Sequence, residues 1–95
     1  MIDSAAFQEH LGTVFTVRHG DLSVPLELAN VADRGVSNGM RQFSLFFHGP
    51  ADPLLGDRIE TLEHGTLGPL DLFIVPVIGS NTARAVYEAC FSLPA

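Results

Sequence analysis

Apolar side chains recur along this chain at two different periods, and the change falls at Gly12. Before it, Phe7 and Leu11 stand four apart, which puts them on one face of a helix. Asp3 or Ser4 can cap the first turn. With Asp3 as the cap, Ile2 and Phe7 take the spacing of a hydrophobic staple. The pattern predicts a helix over 4–11 that points Phe7 and Leu11 into the domain, with Gly12 as its left-handed stop. After Gly12 the period is two. Phe15 and Val17 oppose Thr16 and Arg18. A turn at 19–21 leads to 22–31, where Leu22, Val24, Leu26 and Leu28 alternate with Ser23, Pro25, Glu27 and Ala29 as in a half-buried strand. Pro25 cannot donate to a ladder and belongs at an edge or bulge.

The polar, glycine-containing stretch 32–40 predicts a mobile loop or the tip of a wide hairpin. The strand after it places Phe43, Leu45 and Phe47 on one face, with Ser44 and Phe46 on the other. A proline-rich connection spans 50–57. The remainder predicts a meander: a strand at 58–64 with Ile59 and Thr61 facing opposite to Leu62, then strands over 70–78 and 84–93, joined by turns. Short strands at regular spacing give a mainly β fold, a small antiparallel β-sandwich or partly open barrel of about six strands with one short N-terminal helix. Ninety-five residues make one domain, 1–95.

One segment departs from clean alternation. In LGPLDLFIVPV, residues 67–77, Asp71 is the lone charged side chain. Leu70, Leu72, Ile74 and Pro76 fall on one face. Asp71, Phe73, Val75 and Val77 fall on the other, so both faces are apolar past Asp71. The helix offers too few side chains to cover the second face, and Phe46 is a further outward apolar residue. An exposed patch of this kind marks an interface. The interface expected is Phe46, Phe73, Val75 and Val77, occupied by another copy of the chain or by a larger assembly.

Composition narrows the alternatives. Apolar residues are 46% of the chain and charged residues 17%, which is globular and not disordered. With no lysine, five scattered arginines and a net charge of −6, the chain lacks the basic stripe that phosphate binding requires, so no nucleic-acid partner is expected. No apolar run is long enough for a membrane helix, and no membrane insertion is expected. The N-terminal stretch has neither a basic nor an apolar signal region, which predicts a cytoplasmic protein. Cys90 is the single cysteine, so an intrachain disulfide is excluded, and its strand context predicts a small buried hydrophobe.

Candidate chemistry is thin. His10, His19, His48 and His64 lack the close-paired spacing of zinc ligands, and three of them precede a turn glycine. The set to consider for a metal would be His48, His64 and Glu63, but no metal or other cofactor is expected. Gly35, Ser37 and Gly39 fit the G-x-S-x-G spacing of a hydrolase elbow. No helical pattern follows them and no triad partners are evident, so this segment reads as a loop. The acids Asp33, Asp52, Asp57, Glu60 and Glu63 read as solvated surface carboxylates. The alternative to an interaction protein is a small-ligand-binding or enzymatic barrel, with its site beneath the 32–41 loop at Asp33, Arg34 and Arg41.

Residues 43–50 (FSLFFHGP), 61–77 (TLEHGTLGPLDLFIVPV) and 87–91 (YEACF) resemble a family of short bacterial proteins classed as a domain of unknown function. Its pattern is F-S-L-x-F-x-G-P, then L-E-H-x-x-L-G-x-L-x-L-F-x-V-P-V, then Y-E-A-x-F. Ala5, Phe7, Gly12, Phe15 and Val17 extend the resemblance toward the N-terminus. It implies no activity and no catalytic residues. It does imply an association with phage-tail-collar-type fibre proteins, in keeping with a structural subunit of a tail-like or secreted assembly.

Overall fold

The structure is a computed structural model that describes residues 4–50, 58–77 and 84–94. Helix α1 (Ser4–Gln8) is shorter than the periodicity predicts. After Gln8 the bonds tighten: His10 N–H donates to the Phe7 carbonyl (2.9 Å) and Leu11 N–H to that of Gln8 (3.4 Å). Such three-residue steps rotate the chain faster than an α-helix does. Phe7 is therefore fully buried while Leu11 is swung into solvent, contrary to expectation. Gly12 takes φ +82° and ends the turn, and its N–H donates to the Leu28 carbonyl at 2.8 Å. The staple pair and cap at Ile2 and Asp3 lie outside the described residues.

The strands are β1 (Val14–His19), β2 (Leu22–Ser37), β3 (Met40–Gly49), β4 (Arg58–His64), β5 (Gly68–Pro76) and β6 (Ala85–Pro94). They close into a barrel in the order β1-β2-β3-β6-β5-β4, with antiparallel neighbours throughout. Of the two architectures predicted, the barrel is found; every neighbouring pair in the ring is laddered, β5–β6 over three residue pairs and β1–β4 over two. A barrel of so few strands has room inside only for side chains. Phe15, Val17, Leu26, Leu28, Leu45, Phe47, Leu62, Ile74 and Tyr87 fill it. Phe7 enters from α1 at one end, 6.1 Å from Phe43 and 5.6 Å from Phe91.

The 32–40 stretch is not a loop. β2 runs to Ser37, and the hairpin turns on Asn38 (φ 53°) and Gly39 (φ 75°) alone. A two-residue Asn-Gly turn has the twist that adjoining strands need. Gly35 (φ 79°) sits where the β2–β3 register shifts between Asp33 and Val36, as a bulge requires. No β2 residue after Val31 is buried, because this hairpin end projects past the core. Polarity there reflects position, not irregular backbone. Pro25 precedes the first β2–β3 pair, Glu27 with His48, so one side of β2 is free at that point.

Three smaller expectations also change: Glu60 on β4, expected among the solvated surface carboxylates, is buried. Leu22, the first residue of β2, is exposed beside the β1–β2 turn. Cys90 is exposed and not buried. β6 turns Ala85, Tyr87 and Ala89 inward, so the alternation carries Cys90 to the outer face.

Gly49 closes β3 in tight quarters. A Cβ there would stand 2.5 Å from Leu26 Cδ2, 3.4 Å from the Pro25 carbonyl oxygen and 3.5 Å from the Tyr87 ring. Leu26 is itself fully buried, with no free volume into which to move. Gly49→Ala is expected to destabilise the protein by about 1–3 kcal/mol in urea unfolding, the usual range for overpacking.

Candidate docking surface

The hairpin β4–β5 presents two large exposed apolar side chains, Ile59 and Phe73. Its register sets Ile59 opposite Phe73 and Thr61 opposite Asp71. Leu62, Leu72 and Ile74 occupy the inner positions, so Ile59 and Phe73 are forced outward by alternation. Ile59 is 67% exposed and Phe73 54% exposed. Next to them, the Thr61 hydroxyl donates to Asp71 at 2.6 Å, which fixes the carboxylate on the rim. Val75, further along β5, and Val77 are half-buried.

The four residues expected to form one interface are thus not all together. Phe73 and Val75 follow one another on the outer face of β5, and Val77 lies just past its end. Phe46 lies two strands away and is half-buried. Between it and Val75 stands Glu88, cross-strand partner of both. Arg34 reaches Glu88 at 3.4 Å, so an ion pair divides the two apolar sites. Ile59 is the outward residue that the sequence reading did not assign to the interface. Its signal was available: the turn after His64 sets a hairpin register that brings Ile59 opposite Phe73.

The alternative site loses the loop that was to cover it. Asp33 and Arg41 form a loose exposed pair at 3.9 Å, and Asp33 also receives the Gly35 N–H at 2.8 Å. Arg34 Nε–H donates to the buried Ser44 hydroxyl at 3.0 Å, and Ser44 Oγ is 3.7 Å from Cys90 Sγ. Arg34, Ser44 and Cys90 border a shallow cleft with Phe91 and Ser92. The partners of the Ser44 hydroxyl, an arginine and a thiol, give it no general base.

His64 serves structure. Thr66 and Leu67 N–H groups both donate to His64 Nδ1, at 3.0 and 3.2 Å. Thr13 spends its hydroxyl proton on the His10 carbonyl (2.6 Å), so its oxygen accepts from His64 Nε2–H at 3.0 Å. His64 is therefore the neutral Nε2–H tautomer, stitching the β4–β5 turn to the segment before β1. Its ring lies 4.4 Å from Phe15 and 4.7 Å from His10. Burial, and then the neighbouring His10, hold its pKa below the ordinary histidine value. Both ring nitrogens are engaged, so His64 is not available to His48 and Glu63 as a ligand set. Among the described residues no three His, Cys, Asp or Glu groups converge.

A pH dependence follows. The native state favours neutral His64, so its contribution is complete above the unfolded pKa of about 6.5. That contribution is lost as pH falls below this value through the native pKa. Urea midpoints are expected to fall between pH 7 and pH 5, with a flatter profile in His64→Gln. An NMR titration of His64 at or above 6.5, or an Nδ1–H tautomer, contradicts this.

A family model described as a domain of unknown function (DUF6916) matches residues 2–91. No curated protein and no solved structure matches the chain.

Proposed function

The chain belongs to the DUF6916 family, whose description assigns no activity; from its geometry we propose that the protein is a non-enzymatic interaction subunit that associates with its own kind through the outer face of β4–β5. The observation that carries this reading is the exposed pair Ile59 and Phe73, opposite each other on adjacent strands. Covering the exposed parts of four such side chains across a two-fold contact contributes about 4–8 kcal/mol by area. Association costs on the order of 4–15 kcal/mol in lost freedom and ordering. The most favourable balance of these ranges, about 4 kcal/mol net, gives a weak contact that dissociates at roughly 1 mM.

A two-fold contact closes on a pair of copies, and that pair is the unit that would enter a fibre- or tail-like assembly. Charge modulates the contact. The chain carries −6 overall, so copies repel at long range, and salt that screens this repulsion strengthens association. Light scattering across a concentration series tests the proposal. Mass should rise above 10.2 kDa in the high micromolar range, and more steeply at higher salt. A constant monomer mass up to about 1 mM, at either ionic strength, overturns it.

A further inference from the structure

We propose that the open seam between β5 and β6 is a strand-accepting slot, which takes an extended segment of another polypeptide with apolar side chains at alternate positions and a basic residue opposite Asp71. The β5–β6 ladder pairs Ile74 with Ala89, Val75 with Glu88 and Pro76 with Tyr87, and goes no further up β5. β5 nevertheless extends back to Gly68 and β6 forward to Pro94. Each is fully laddered on its other side, β5 to β4 as far as Gly68 and β6 to β3 as far as Pro94. At the offset of the existing pairs, Phe73 would meet Cys90 and Leu70 would meet Leu93. Among the described residues these pairs do not form, so two strand edges face each other without a ladder.

The cause is aromatic. Phe91 stacks on Phe43 at 4.7 Å with planes 6° apart, which ties β6 to β3. Phe7 from α1 stands against Phe91 and lines the opening, holding the two lips apart. The resulting cleft has a volume of about 470 Å³ and is walled by Leu70, Leu72, Phe91 and Leu93 with Phe7 behind them. This size lies in the range of ligand sites.

Its borders select the occupant. Bare strand edges are templates for another peptide backbone, and a hydrocarbon ligand would leave their amide and carbonyl groups unanswered. Pro69 and Pro94 lack N–H groups and close one end of the slot, which leaves 70–73 and 90–93 as its usable edges. That length admits about four residues of guest strand. Alternation turns Leu70 and Leu72 toward the cleft and Asp71 toward its outer rim. Asp71 is the single charged group in the lining and forms no ion pair among the described residues. In a second copy three of the five arginines, Arg18, Arg34 and Arg41, already pair with Glu63, Glu88 and Asp33. A basic guest strand complements both this carboxylate and the chain's overall charge of −6.

The test uses the peptide Ac-Val-Arg-Val-Thr-Val-NH₂ with the full-length protein, read by amide NMR. At about 1 mM peptide, exchange of the amides within 70–73 and 90–93 should slow at least about tenfold. A backbone N-methylated version of the peptide should give no slowing. Asp71→Asn, in which the amide oxygen still accepts from Thr61, should weaken the peptide about two- to fivefold, the range of an exposed ion pair. Absence of slowing overturns the slot. Equal effects from the N-methylated peptide or from 1-octanol show a plain apolar cavity and overturn the strand reading. Unchanged affinity in Asp71→Asn overturns the basic partner residue.

Discussion

Phe7→Ala is expected to lower the free energy of unfolding by about 3–5 kcal/mol, the range for emptying a buried phenylalanine site. The ring is fully buried yet comes from outside the barrel wall. It closes one end of the interior and packs beside Phe43 and Phe91, cross-strand partners on the neighbouring strands β3 and β6. No neighbour can move in to replace it, because Phe43 and Phe91 are already stacked on each other. A domain of this size has about 5–15 kcal/mol of stability in total, so the variant stands near the edge of folding. Phe7→Leu keeps most of the volume and should lose roughly 1–1.5 kcal/mol. Urea unfolding of the two variants side by side checks the assignment. A loss below 1 kcal/mol for the alanine variant would show that α1 is an ornament on a self-sufficient barrel.

Phe73→Asp, alone or with Ile59→Asp, is expected to abolish self-association and leave the monomer folded. Both positions point away from the core, so substitution there leaves no cavity, and stability should change by less than about 1 kcal/mol. Each new carboxylate would have to enter the contact unpaired, against its own desolvation cost. Both variants should therefore run at the monomer mass at every concentration, with the circular dichroism of the parent. Phe46→Asp is the internal control. Separated from Val75 by the Arg34–Glu88 pair, Phe46 lies off the contact, and its substitution should leave association unchanged. Unfolding of Phe73→Asp would show that the position belongs to the core.

Much of the barrel could be read from alternation. Val24, Leu26 and Leu28, and then Phe43, Leu45 and Phe47, announce their buried faces, and the structure buries all of them. The double-faced character of β5 was visible for the same reason. What alternation could not give is anything decided by a partner strand. The hairpin end at 32–37 could be read either as a loop or as a wide hairpin tip because its side chains are polar, and the hairpin tip is what forms, on the tight-turn signal of Asn38-Gly39. The end of α1 was misjudged because helical spacing alone does not reveal three-residue hydrogen-bond steps. Ile59 and Phe73 become one surface only through register, and Phe46 drops out only because Glu88 intervenes. The seam between β5 and β6 has no sequence signature, since it depends on where two ladders stop.

The claim at the centre of this account is that water is not the final neighbour of the Ile59–Phe73 face. An isotope-filtered NOE experiment tests it, on an equal mixture of labelled and unlabelled protein at about 1 mM, near the expected dissociation constant. The account predicts intermolecular cross-peaks from the Phe73 ring to Ile59 methyl groups of a second copy. Their absence, with the ring showing contacts only inside its own barrel, would contradict it.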